Sequence, residues 1–246
     1  MSGPTQFEEF ERVRRGLLRI ARESVRQGMA FPGENELARR LGCGRGQIRR
    51  VLGSLEHDGI VIRHQGSPTV LDPVALRGTV RLEEQVPLLD MLVRMGYETS
   101  VDVMTTEPVP VRADAAQVLR VARGAPAVHR VAVVRADGRP CALVDSTVVL
   151  PERGLAAEES TWSSTASAEA LAERIWGEPV VRELATLSAH RLSAGQAAMM
   201  ELPDGTAVVQ LDVVGVSRFG HRPYRSLERH HPDLLEYSVY RTTAPF

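Results

Sequence analysis

Between Phe7 and Leu71 the chain carries three helix-period segments in close succession, each ended by glycine, followed by two short β-branched runs. Phe7, Phe10, Val13, Leu17, Ala21 and Val25 recur three and four apart, which makes one face of a long amphipathic helix that Gly28 ends. FPGENELARRLG gives a short helix over Glu34 to Leu41, with Leu37, Ala38 and Leu41 turned inward. After Gly42 and Gly44 a third helix carries Ile48, Val51, Leu52 and Leu55 on one stripe and stops at Gly59. Ile60-Val61-Ile62 and Thr69-Val70-Leu71 then read as strands, joined by a turn at His64-Gln65-Gly66-Ser67-Pro68. Three helices and a two-stranded wing in this order constrain the segment to a winged helix-turn-helix.

The third helix keeps its charge off the apolar stripe. Arg45, Gln47, Arg49 and Arg50 occupy its first turns, and the glycines before it leave the backbone open to close approach. A helix enters the major groove of double-stranded DNA by its exposed face, with its N-terminal residues reaching deepest. Guanidinium forks match guanine edges and phosphates, and the helix N-terminus favours an anion. The whole chain, at a net charge of −1, has no global basic field. Its charge is nevertheless divided: residues 1–72 hold 12 arginines against 9 acidic residues, and the remainder holds 18 against 22. A basic head on an acidic body is the direction expected of a DNA-binding chain.

Cys43 and Cys141 lie far apart, without the spacing of a disulfide framework or a zinc site, and no cofactor is implied. The opening MSGPTQFEEF has neither the basic nor the apolar region of a secretory signal. No run approaches the roughly 18 apolar residues of a membrane helix, so the cytoplasm is the expected location.

Asp72 to Gly78 breaks the pattern and reads as a linker. The resulting division is 1–72 as the DNA-binding head, 73–81 as the linker and 82–246 as a second domain. Within that domain Leu88 to Met95 reads as a short helix and Val101 to Val111 as a strand. A weak repeat follows. One copy is a helix at 114–122, a strand at 128–136, an Asp137-Gly138 turn and a strand at 142–149. The other is a helix at 193–201, opened by a Ser193/Gln196 capping box, a strand at 207–218, a Phe219-Gly220 turn and a strand at 224–231. A helix at 167–176 and a strand at 180–190 lie between them, and Tyr237 to Arg241 can add an edge strand. Two helix–hairpin units imply an α+β domain with a mostly antiparallel sheet, helices on one side and a cleft between the copies.

ENELARRLGCGRGQIRRVLGSLEHDGIVIRHQG resembles the GntR family of bacterial regulators. The matching positions are Pro32, Glu34, Leu37 and Ala38, then Arg45, Ile48 and Arg49, then Leu55, Gly59 and Gly66. The resemblance implies that Arg45 and Arg49 contact DNA and that Gly66 places the wing tip in the minor groove. Together with the residues beside them this makes Glu34, Asn35, Arg45, Gln47, Arg49, Arg50, His64, Gln65, Gly66 and Ser67 the candidate DNA-binding set. The chain departs from the family at Gly33, Asn35, Gly44, Gly46 and Pro68, where serine, arginine, small hydroxyl residues and a second wing glycine are usual. Fewer phosphate contacts imply weaker binding or an unusual operator.

RADGRPCALVDSTVVLP (135–151) and GHRPYRSLERHHPD (220–233) are similar to the effector-binding domain of the HutC subfamily, of UTRA or chorismate-lyase-like type. In phosphosugar-responsive relatives two arginines alternate on the strand before the Asp-Gly turn, and a hydroxyl residue opens the first helix of the domain. Those positions fall on Ala132, Val134 and, near the helix start, Leu89. Period-two geometry puts Arg130 in the same row, as its remaining charge. Asp145 sits where relatives carry glutamate, and Tyr224 and Glu228 lie on the corresponding strand of the second copy. Arg130, Ala132, Val134, Asp145, Tyr224 and Glu228 are therefore the candidate effector residues, for a small molecule less charged than a sugar phosphate.

The resemblance implies a homodimeric repressor that a small-molecule effector releases from its operator. A body that only dimerises remains open as an alternative, as does a chorismate-lyase-like enzyme. Against catalysis, the sequence holds no nucleophile triad, P-loop or His-Glu-x-x-His motif. His221, His230 and His231 cluster near Arg222 and Asp233, but adjacent strand residues point to opposite faces, so His230 and His231 cannot share one ion.

Overall fold

The computed structural model describes residues 6–63, 68–76, 79–81, 87–151, 162 and 167–238. The chain forms two compact units, residues 1–99 with 233–246 and residues 100–232.

In the first unit α1 (Gln6–Gln27), α2 (Glu34–Leu41) and α3 (Arg45–His57) precede β1 (Val61–Ile62) and β2 (Val70–Leu71), which pair antiparallel. Val13, Leu17 and Ala21 of α1, Leu37 and Ala38 of α2, and Ile48, Val51, Leu52 and Leu55 of α3 form one buried core with Val61. Full burial of each of the larger aliphatic side chains contributes about 1.5–3 kcal/mol, so the three stripes decide the packing. The periodicity places these elements correctly, wing included. The wing tip, with His64, Gln65, Gly66 and Ser67, lies outside the described residues.

Within the stretch read as a linker, the described residues contain α4 (Pro73–Leu76) and β3 (Thr79–Arg81), and α5 (Leu88–Arg94) belongs to the same unit. β10 (Glu236–Ser238) does not extend the large sheet, as the sequence led us to expect. It pairs in parallel with β3, Glu236 opposite Thr79.

The second unit is built on a six-stranded sheet in the order β4 (Thr99–Pro110), β5 (Pro126–Ala136), β6 (Arg139–Val149), β9 (Tyr224–His230), β8 (Ala207–Ser217), β7 (Val180–Arg191). The pairings from β5 through β7 are antiparallel. The two repeat copies, α6 (Ala113–Leu119) with β5–β6 and α8 (Ala194–Met199) with β8–β9, meet where β6 pairs with β9. The copies thus share one continuous ladder, with no cleft between their strands. Pairing the two hairpin edges satisfies backbone groups that a cleft would leave open.

Nor do the helices share one side of this sheet. α6 packs on Ala127, Val149 and Val214, and α8 on Val133, Leu143 and Val208. α7 (Ala168–Trp176) covers Val128, Val148, Val213 and Tyr224, which point to the opposite face. Both faces are consequently buried, which explains why β5 and β6 read as nearly continuous apolar runs rather than clean alternations.

Candidate nucleic-acid interface and effector site

On α3 the apolar stripe is fully buried, and Arg45, Arg49 and Arg50 are exposed on the far side. Asn35 is exposed as well. Three of the candidate residues, Glu34, Gln47 and Arg49, are already engaged. The Arg49 Nε donates to Glu34 at 2.7 Å, and the Gln47 side-chain oxygen accepts the Gly44 backbone N–H at 3.2 Å. Gln47 therefore caps α3 with its carbonyl, and Gly44 has no side chain to complete a reciprocal box. Arg63, which sequence reasoning passed over, reaches the other Glu34 oxygen at 3.3 Å and Glu56 at 3.8 Å. Its signal was present, since it immediately precedes the wing turn, but nothing in the sequence revealed that one carboxylate would hold arginines from α3 and from the wing base.

In the second unit, strand register places most of the candidate effector residues on the face that α7 covers. Arg130 is opposite Ser146, which is opposite Ser226; Ala132 is opposite Val144, which is opposite Glu228. Tyr224 lies in the next row beside Val148, and its ring crosses Gly215 so closely that any Cβ there would overlap it. Arg130 is 2% exposed, and burial pushes its guanidinium below its ordinary pKa. The Ser146 and Ser226 hydroxyls are hydrogen-bonded at 2.9 Å, and both are buried. The Tyr224 hydroxyl donates to Glu183 of β7, and Glu228 pairs with His230 at 3.3 Å. Burial raises the pKa of Glu183, and the hydrogen bond from Tyr224 opposes the rise. Trp162 packs in the same cluster, with a buried indole N–H that has no acceptor among the described residues. Ser146, Ser226, Glu183 and Trp162 were not anticipated; their sequence context is unremarkable, and only the register joins them.

Asp145 does not join this group. A two-residue turn with perfect pairing would set Asp145 opposite Arg130. Instead the register shifts between Val134 and Arg135, Cys141 has no partner on β5, and Asp145 pairs with Val131. One extra residue moves the side chain to the other face of the sheet. There Asp145 accepts from His129 at 2.9 Å and lies 4.0 Å from Arg229. Leu89 lies on α5, in the first compact unit. His221 is held by Glu178 at 3.0 Å, whereas His230 is buried beside Glu228. No cluster of three or more metal-ligating side chains occurs among the described residues.

A winged head with an outward arginine helix, joined to a two-faced α+β body with a buried polar row, defines a DNA-binding regulator with a sensing domain. Comparison with known proteins agrees. Residues 12–71 match the bacterial regulatory proteins of the gntR family, and residues 94–235 match the UTRA domain. The chain belongs to the GntR family, in the branch that carries a UTRA domain, and is a transcriptional regulator rather than an enzyme. It is 28% identical over 231 residues to the HTH-type transcriptional regulator Rv0792c of Mycobacterium tuberculosis, covering 89% of this chain and 80% of the relative. The crystal structure of PhnF from Mycobacterium smegmatis superposes with a TM-score of 0.59 at 21% identity, over 92% of this chain and all of that one. YydK of Bacillus subtilis gives 0.53 at 14% identity, over 94% of this chain and 99% of that one. At these identities the two structures speak for the shared fold. Among the described residues no helix is long and apolar enough to cross a membrane.

Proposed function

We propose that the protein is a homodimeric repressor, working in the bacterial cytoplasm, that a small molecule less charged than a sugar phosphate releases from its operator. Two heads reading a two-fold operator need half-sites about 34–36 Å apart. Arg45, Arg49 and Arg50 would reach phosphates and base edges, with Glu34, Asn35 and Gln47 beside them and His64 to Ser67 at the wing tip. Dimerisation is supported by β7: residues 184–189, LATLSA, carry no charge and are exposed throughout an edge strand. Such an edge invites a partner strand.

The effector would lie against the sheet face of Arg130, Ala132, Val134, Tyr224 and Glu228. One observation carries the reading of its chemistry. The row that holds phosphate in phosphosugar-responsive relatives is here Ala132 and Val134, 1% and 4% exposed, with Val144 opposite Ala132. A doubly charged phosphate placed there would lose its hydration without gaining a fork of donors. An effector shifts the operator equilibrium only through unequal affinity for the two states of the protein. A thermal-shift panel tests the proposal, because a ligand selective for the folded state raises its stability with occupancy. Glucosamine-6-phosphate is expected to leave the melting temperature unchanged, whereas an uncharged or singly charged metabolite raises it and weakens operator binding. Tight binding of glucosamine-6-phosphate, lost in Arg130→Ala, would overturn the assignment.

A further inference from the structure

Helix α5 ends against the first helix of the head in a contact more elaborate than a tether needs. The Arg22 guanidinium donates from Nη1 to the Met95 carbonyl at 2.6 Å and from Nη2 to the Gly96 carbonyl at 3.0 Å. The same guanidinium lies 3.8 Å over the centre of the Tyr97 ring. A helix end leaves carbonyls without intrahelical partners, and a cation placed there both satisfies them and meets the negative end of the helix dipole. Stacking on the aromatic face adds a third contact with one planar group.

Gly96 fits the same arrangement. It has a φ of +84°, and a Cβ there would lie 3.0 Å from the Leu18 Cβ and 3.3 Å from the Arg15 Cα. Only glycine combines that backbone with so close an approach. Leu18, Leu92 and Tyr97 are all buried. Two residues beyond Tyr97, at Thr99, the chain becomes β4.

We propose that Arg22 is a positioning residue that makes the Leu88–Tyr97 segment part of the DNA-reading unit. The segment is then fixed to α1, and through the shared core to α3, by a stiff joint. A flexible connection would leave this segment unfixed on the head, whereas a packed element holds a discrete arrangement. The use of the joint in effector response rests on the proposed function; the existence of the joint does not.

The test uses the full-length chain with spin labels at Arg39→Cys on α2 and at Asp90→Cys on α5, both exposed, and with Cys43→Ser; buried Cys141 stays unlabelled. Labelled subunits are diluted into unlabelled protein, and the label-to-label distance distribution is measured by pulsed electron resonance. The parent chain is expected to give one narrow distribution and Arg22→Ala a broad one. Arg22→Lys, which keeps the charge but not the fork, should fall between them. Amide exchange at Tyr97, whose N–H is bonded to the Leu92 carbonyl at 3.0 Å, should quicken by about tenfold or more in Arg22→Ala. Retained binding to a random-sequence duplex at low salt shows that the head is folded. If Arg22→Ala loses that binding, Tyr97→Leu, which removes the stacking surface and keeps the Arg22 guanidinium, replaces it and should also broaden the distribution.

A parent distribution that is already broad, or one left narrow by the variant that folds, overturns the proposal. Broadening in a protein whose operator binding no metabolite affects would sink the effector reading and leave the joint standing.

Discussion

Glu34 of α2 and Arg49 of α3 face each other in the reading head, with the Arg49 Nε 2.7 Å from a Glu34 oxygen and Arg63 on the other oxygen of the same carboxylate. A carboxylate repels phosphate, so its use beside DNA is to hold two guanidinium groups in place. Glu34→Gln is expected to weaken binding to an operator selected from random duplexes by about 1–3 kcal/mol. Binding to a random duplex should tighten slightly, because one negative charge is gone. Anisotropy titrations with the two duplexes check both signs. Equal weakening on both would show that Glu34 maintains the fold rather than the register of the arginines.

Salt dependence separates phosphate contacts from the rest. If each head of a dimer brings Arg45, Arg49 and Arg50 to phosphates, the six contacts give a slope of log K against log salt of about −5.4. Arg49→Ala removes one contact from each head, and the slope should shrink to about −3.6. The same variant should unfold at the parent temperature, since Arg49 is exposed and outside the core. A flat response to salt would contradict the assignment of α3 as the reading helix.

The buried serine pair at the line where the repeat copies meet can be tested by a double-mutant cycle. Ser146→Ala leaves the Ser226 hydroxyl without its 2.9 Å partner in a fully buried place, and a cost of about 1–3 kcal/mol is expected. Ser226→Ala should cost a similar amount. The double variant should recover part of that loss, because two methyl groups need no hydrogen bond. Strictly additive losses in urea unfolding would mean that each hydroxyl serves a different partner.

The head was almost wholly legible in the sequence, because three apolar stripes at helical spacing and their glycine stops admit one arrangement. The Ser193/Gln196 box and the Asp137-Gly138 turn marked their elements equally well, and both residues of that turn have positive φ. Period two correctly gathered Arg130, Ala132 and Val134 on one face. Asp145, which entered the set by its position in the family resemblance, lies on the other face, since a single unpaired residue after a turn inverts the parity of a strand and no local propensity at Cys141 announces it. The covering of both sheet faces was hidden for a related reason: α7 has the same amphipathic pattern as α6 and α8, and pattern alone does not choose a face. Arg22 was invisible because its partners are backbone carbonyls 73 and 74 residues away.

Glu183 and Tyr224 supply a pH signature for the face that α7 covers. Burial raises the pKa of the Glu183 carboxyl, so the folded chain keeps this proton to higher pH than the unfolded chain, where glutamate titrates near about 4.3. As pH rises from that unfolded value through the raised folded one, the unfolded state gives up its proton first and gains relative stability. Below and above this window Glu183 adds no pH dependence. Glu183→Gln has no proton to lose, so the parent chain should lose stability relative to this variant across the window and run parallel to it elsewhere. Tyr224→Phe removes the hydroxyl that opposes the rise. Its decline should therefore continue to higher pH, on top of a uniform loss of about 1 kcal/mol for the hydrogen bond removed. Urea unfolding of the three proteins at several pH values reads both effects. A parent curve that gains on Glu183→Gln as pH rises would mean that Glu183 is ionised in a favourable site, and the buried polar row would have to be assigned differently.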